Sequence, residues 1–158
     1  MLTDLAFIVG LHRTESDKLG FIPAPTIRDR YLAQGNYVIV RDRQGRSRGY
    51  ILHGPTRPGR PLHITQVCTE LDHRLRGFAA NAVRTIELRG LAAGCTELRL
   101  RCALELPANA FWRALGFQLR GYAIGGNTSQ RIIAEYILPL GPADARTLVF
   151  SFSGPTPR

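Results

Sequence analysis

The chain has 158 residues, enough for one domain around one apolar core. Apolar residues make up 44% of it and charged residues 21%, which excludes a disordered or fibrous chain, and no apolar run approaches the roughly 18 residues of a membrane span. The net charge of +9 is carried almost wholly by arginine, since Lys18 is the only lysine; such a surplus attracts anions, although arginine with abundant alanine, glycine and leucine is also the habit of a GC-rich genome.

In chain order, Leu5 to Val9 is too short, and lacks the basic flank, for a signal peptide, so the expected location is cytoplasmic. Leu11 to Leu19 reads as a short helix that Gly20 and Pro23 end, and Pro25 to Ala33 as a second. Tyr37 to Val40 reads as a strand, Asp42 to Gly45 as a turn, and Arg48 to His53 as the returning strand. Three prolines make 54–61 a loop, and Leu62 to Thr69 is the next strand. From Gly77 on, Ala79, Ala82, Val83, Ile86, Gly90 and Ala93 recur at spacings of three and four, the period of a helix with one buried face.

Glu97 to Cys102 alternates leucine with arginine, a strand period. Pro107 to Leu115 reads as a helix closed by Gly116, Phe117 to Ile124 as a strand, Gly125 to Asn127 as a turn, and Arg131 to Leu138 as the return strand. Thr147 to Phe152 reads as an edge strand, with residues 1–152 forming the domain and 153–158 a disordered tail. Strands and helices in this order predict an α/β fold with a mixed sheet. Cys68, Cys95 and Cys102 form no CxxC pair and leave one over, which suits a reducing compartment and predicts neither a disulfide framework nor a metal site.

The sharpest local signal is Arg74-Leu75-Arg76-Gly77-Phe78-Ala79, between a strand and an amphipathic helix. A loop whose N–H groups converge at a helix N-terminus favours anions, and Gly77 lets the backbone close on a phosphate. The alternative is a plain arginine-rich turn, with Arg74 and Arg76 as solvated charges. This segment resembles the R/Q-x-x-G-x-G/A cofactor loop of the Gcn5-related N-acetyltransferase (GNAT) superfamily. A second stretch, Asn109-Ala110-Phe111-Trp112-Arg113-Ala114-Leu115-Gly116-Phe117, is similar to that family's ending of an aromatic residue, three residues, glycine and phenylalanine. The resemblance covers about residues 36 to 138. Leu19 to Pro23, together with Gly125-Gly126 and Arg131, also resemble a phage and mobile-element subgroup loosely related to Mom-type DNA modification proteins.

The resemblance implies a single-domain acyl-coenzyme-A N-acyltransferase fold with a sheet of about six or seven strands. It implies acetyl-coenzyme A as the acyl donor and direct transfer to an amine acceptor in a ternary complex. Counting back from Arg74, Val67, Cys68 and Thr69 fall where the family's splayed strand offers main-chain groups to the pantetheine arm. Leu75, Phe78 and Ala79 complete the loop, and Asn109 is carried over with reserve, because the family's asparagine falls where Glu105 stands here. The same count places His63 where relatives carry a base; the other reading is a half-buried strand histidine. Trp112 occupies the position of the family's acidic tyrosine and is no usable acid; it is expected to pack beside the thioester, the other reading being core packing, which leaves Tyr122, Tyr136 or water to protonate the thiolate. His53, Arg57 and Arg60 are candidate acceptor contacts. The partners expected are the amine, with nucleic acid as its leading specific example, and a second copy of the chain; no membrane is expected. The competing class is a non-catalytic acyl-coenzyme-A- or nucleic-acid-binding module on the same fold.

Overall fold

The computed structural model of the protein describes residues 2–125 and 131–141. The predicted turn at 126–127, the edge strand at 147–152 and the tail at 153–158 lie outside the described residues. Helix α1 (Leu2–Thr14) and the short α2 (Ser16–Leu19) lead into α3 (Ala24–Thr26), which continues as a π-helical turn over Ile27–Leu32. The strands are β1 (Tyr37–Arg41), β2 (Ser47–His53), β3 (Leu62–Thr69), β4 (Glu97–Ala103), β5 (Gln118–Gly125) and β6 (Arg131–Pro139). A 3-10 turn, Leu71–His73, and α4 (Phe78–Ala92) separate β3 from β4, and α5 (Ala108–Ala114) separates β4 from β5.

The six strands form one mixed sheet in the order β1-β2-β3-β4-β6-β5, parallel only between β3 and β4. That single parallel pair follows from α4, which carries the chain from the end of β3 back to the start of β4; the other neighbouring strands run antiparallel. On one face α4 and α5 pack over Ile51, Leu62, Ile64, Leu98 and Leu100. Ala82, Val83, Ile86 and Gly90 are the buried stripe of α4. At Gly90 a Cβ would come within 2.7 Å of a Leu140 methyl and 3.3 Å of a Leu62 methyl, so glycine lets these leucines pack close against the helix.

The opposite face is covered by α1 and the π-helical turn, but only over β1, β2 and the second half of β3. There Ile8, Ile27, Tyr37, Tyr50, Leu52 and Cys68 form a second core. Tyr37 meets Tyr50 edge to face at 5.4 Å between ring centroids. The first helix differs from expectation: it begins nine residues earlier, at Leu2, and ends at Thr14. Its buried residues, Ile8 and His12, are four apart and share one face, so Leu5 to Val9 is the middle of a packed helix. Asp4 in its first turn and Arg13 in its last also match the helix dipole. No helix is long and apolar enough to cross a membrane among the described residues.

Candidate active site

Two local irregularities shape the site. On β2 the consecutive residues Leu52 and His53 face Gln66 and Ile64, so Thr65 is an extra residue on β3. Such a bulge turns the strand over. Leu62 and Ile64 point into the α4 core, whereas beyond the bulge Gln66 and Cys68 face the α1 side, where Gln66 Nε2 donates to the Leu19 carbonyl at 2.9 Å. At the same place β3 leaves β4. The parallel pairing runs Leu62 with Leu98, His63 with Arg99 and Ile64 with Leu100, and then stops. From there β3 is paired only with β2, through Thr69, and β4 only with β6, through Ala103. Among the described residues, the main-chain edge of β3 from Gln66 to Thr69 therefore has no strand beside it, and neither does the facing edge of β4.

That opening leads to the loop before α4. Leu75 and Gly77 both have positive φ, 59° and 83°, so the loop doubles back on itself just before the helix. Gly77 is the N-cap; no side chain caps the helix and its first turn holds no acidic residue. The first N–H groups of an α-helix have no intrahelical acceptor, and beside them at Gly77 there is room: a Cβ there would meet nothing within 4 Å. A diphosphate fits this terminus, because the orphan donors and the dipole both favour negative charge. An extended arm with amide groups fits the unpaired edge of β3, where Val67, Cys68 and Thr69 supply main-chain partners.

At the point of parting no element among the described residues covers the opposite sheet face, which holds a cavity of about 660 Å³. Its charged lining is His63 on β3, Arg99 and Arg101 on β4, Glu135 on β6 and Arg120 on β5. Thr65 lies on its wall as well. Arg120 is itself a bulge residue, since Leu119 faces Tyr136 and Gly121 faces Glu135 with Arg120 left over. Both bulges thus bring their extra residue to the cavity.

The predicted site residues divide into two sets. His63, exposed on β3, lies in the cavity, and Val67, Thr69, Arg76, Gly77, Phe78 and Ala79 lie along the opening and its loop. Arg74 is turned inward: its guanidinium pairs with Glu15 at 2.6 Å and donates from Nε to the Thr69 carbonyl at 3.3 Å, bracing the loop against the junction of α1 and α2. Leu75 is fully exposed. Cys68 is buried, and burial pushes its thiol up to about 12, so it is no nucleophile at neutral pH.

Trp112 is 6% exposed and packs edge-on against Phe111 and Phe117 in the α5 core. Asn109 is equally buried. Its Nδ2 donates to the carbonyls of Ala103, Leu104 and Leu106, and its Oδ1 accepts from Tyr136 Oη at 2.9 Å, so all its polar capacity is used in holding the turn between β4 and α5. Tyr122 is exposed on the face opposite the cavity, paired across from the buried Ala134. His53 is 3% exposed, with Nδ1 donating to the Gly54 carbonyl at 2.6 Å and Nε2 accepting from Arg89 Nη1 at 2.8 Å. Arg57 and Arg60 sit in a loop tied to the turn after α4, through Gly59 N–H to the Gly94 carbonyl and Thr96 N–H to the Arg60 carbonyl. The structure brings neither these arginines nor His53 into the lining of the cavity. The cavity residues Arg99, Arg101, Arg120 and Glu135 were not singled out from sequence. The alternation of Leu98 and Leu100 with Arg99 and Arg101 was the available signal: it makes one strand face apolar and the other cationic.

Over residues 8–117 the chain matches the acetyltransferase (GNAT) family. It belongs to that family, the acyl-coenzyme-A-dependent N-acetyltransferases, and the parted strands beside an uncapped helix fit acetyl-coenzyme A as its acyl donor. Among solved structures it is similar to Ard1 from Thermoplasma volcanium, with a TM-score of 0.74, 11% identity, and 89% of this chain and 93% of that one covered. It is similar to spermidine N-acetyltransferase from Vibrio cholerae in complex with coenzyme A and spermine, with a TM-score of 0.73, 17% identity, and coverage of 87% and 90%. It is also similar to a phosphinothricin acetyltransferase from Sinorhizobium meliloti in complex with acetyl-coenzyme A, with a TM-score of 0.72, 21% identity, and coverage of 89% and 85%. At these identities the likeness establishes a shared fold. No curated protein sequence matches the chain.

Proposed function

We propose that this chain transfers the acetyl group of acetyl-coenzyme A directly to the amine of an acceptor held in the cavity beside His63, with both substrates bound at once. The observation that carries this reading is the parting of β3 and β4 after Ile64 and Leu100, which joins the uncapped start of α4 to the cavity. The diphosphate rests on the N–H groups of Gly77, Phe78 and Ala79 with Arg76 beside them, and the pantetheine arm pairs with the main chain of Val67 to Thr69. Two reactants placed this way gain most of their rate from orientation.

In the transfer the amine nitrogen forms a bond to the acetyl carbon, the carbon–sulfur bond breaks, and coenzyme A leaves as a thiolate. His63 takes the proton that the amine gives up, directly or through one water, because its ring nitrogen, exposed in the cavity, can act as a general base. The thiolate takes its proton from water: Tyr122 faces away, the Tyr136 hydroxyl is committed to Asn109, and Trp112 is core packing. An acyl-cysteine route is disfavoured by the buried thiol of Cys68. We place the acceptor in the cavity rather than along the Arg57 and Arg60 loop, which is anchored at the far end of α4.

The test is thiol release from acetyl-coenzyme A in the presence of a broad panel of amines. Amine-dependent release that falls on His63→Ala supports transfer. Tight coenzyme A binding with no release from any amine would assign the fold to a binding module.

A further inference from the structure

The cavity has a charge pattern that selects among amines. Resting on the transfer reading above, we propose that the acceptor is a small amine that also carries a carboxylate or phosphate group, and that Arg120 is the residue that holds this anion. The cavity floor is a patch of four strands in two rows set by the strand registers. One row runs His63, Arg99, Ile137; the other runs Arg101, Glu135, with Arg120 at its end. Three guanidinium groups thus share the floor with a single carboxylate.

Two of the three cations are already engaged. Arg101 holds Glu135 at 2.6 Å, and Arg99 pairs with Glu97 two residues away on its own strand. Arg120 has no carboxylate partner among the described residues, although it lines the same cavity. A cation left unpaired in a concave site draws an anion, and arginine meets carboxylate and phosphate with two parallel hydrogen bonds. Alternation from Leu119, which lies opposite the core residue Tyr136, puts Arg120 on the cavity face, and the bulge keeps the small Gly121 beside it on that face opposite Glu135.

The order of residues across the sheet fits such a bifunctional molecule. His63 stands on β3, next to the parting of the strands where the acetyl group arrives, and Arg120 stands on β5, with β4 and β6 between them. Adjacent strands lie about 4.8 Å apart, so the span across three gaps is roughly 14 Å between backbones, which the two long side chains shorten. An amine at the His63 end and an anion at the Arg120 end belong to one small molecule. A polyamine meets the opposite situation: its second ammonium would face Arg120 and Arg101 with only Glu135 to offset them.

The experiment compares three probe sets with the full chain: the common amino acids and short aminoalkyl phosphonates, the matching amino-acid amides, and spermidine. Thiol release gives kcat/KM for each. In parallel, the melting temperature with coenzyme A present is followed against glutarate and inorganic phosphate, for the wild type, Arg120→Ala and Arg120→Lys. The proposal predicts that amines bearing an anion are preferred over their amides by about tenfold or more, the worth of one charge-assisted hydrogen bond. It predicts that Arg120→Ala removes this preference through KM while Arg120→Lys keeps part of it, and that the anion-induced rise in melting temperature disappears in Arg120→Ala. Equal use of acids and amides, a preference for spermidine, or a preference for acids that survives Arg120→Ala would each overturn it and leave acetyl transfer standing. An Arg120-dependent anion shift with thiol release from no amine would instead contradict the transfer reading and keep the anion site.

Discussion

Ile64 on β3 and Leu100 on β4 form the last rung of the only parallel strand pair among the described residues, and past them the two strands part. Both side chains stay in the α4 core, so the separation opens the main chain without exposing the apolar layer. The extra residue Thr65 marks the place: it follows Ile64 and lets β3 turn its next residues toward α1 while β4 continues beside β6. On the proposed reading the donor groove and the acceptor cavity meet at this rung.

The loop before α4 gives the first prediction. Gly77→Asp keeps the fold, since there is open space for the side chain and aspartate is a good N-cap, which offsets part of the cost of a positive φ. It puts a negative charge where the proposed reading seats the diphosphate. Calorimetry is expected to show the loss of coenzyme A binding by the folded variant, and an unchanged affinity would mean the diphosphate binds elsewhere.

His63→Ala is expected to lower turnover by about a hundredfold or more at neutral pH and by less in alkali, where more of the amine is already free. Its affinity for coenzyme A stays near the wild-type value, because His63 lies on the cavity side of the parting. An equal loss at every pH would make His63 a structural residue.

Asn109 makes a different kind of claim. Asn109→Ala strands the Tyr136 hydroxyl and removes the donor to three carbonyls in a region 2–6% exposed, so denaturant unfolding is expected to show a loss of about 2–4 kcal/mol. Because Asn109 is wholly used within the fold, coenzyme A affinity measured on the folded fraction should hold. A variant of wild-type stability with weakened coenzyme A binding would make Asn109 a ligand.

Stability should fall on mild acidification. Burial lowers the proton affinity of both His12 and His53 below that of an ordinary histidine. His12 Nε2 accepts the Ile22 N–H at 2.9 Å and His53 Nε2 accepts from Arg89, so protonation also breaks a bond at each. The unfolded chain binds protons at these sites more readily than the native one. Their contribution is therefore complete above pH 6.5, the ordinary histidine value, and is lost as pH falls through the lower native values. Urea midpoints between pH 8 and pH 5 measure this, and His12→Gln with His53→Gln should flatten the profile.

Much of the fold was legible because its signals are local. Strand β3 has the bounds read from sequence, Leu62–Thr69, and the three-and-four spacing from Ala79 to Gly90 is the buried stripe of α4. Helix α1 was missed over its first half, because Leu5 to Val9 is apolar all round and carries no helical period by itself; only the pairing of Ile8 with His12 against Tyr50 shows its buried side. The turn before α4 was legible at Gly77, its N-cap, whereas the pairing of Arg74 with Glu15, 59 positions away in sequence, was not. The cavity was beyond reach for the same reason. Arg99 and Arg101 betray a charged strand face, but that β5 lies outside β6, and that Arg120 arrives on a bulge, are facts of long-range pairing. Asn109, Trp112 and His53 carry residue types suited to a site, yet packing has used each of them.

A crystal structure of the protein with coenzyme A tests the central claim most directly. The account predicts the diphosphate on the main-chain N–H groups at the start of α4, and the pantetheine arm running between β3 and β4, with its sulfur at the rung of Ile64 and Leu100 beside the cavity of His63. Coenzyme A bound on another face, or β3 and β4 closed into a continuous parallel pair past that rung, would contradict it.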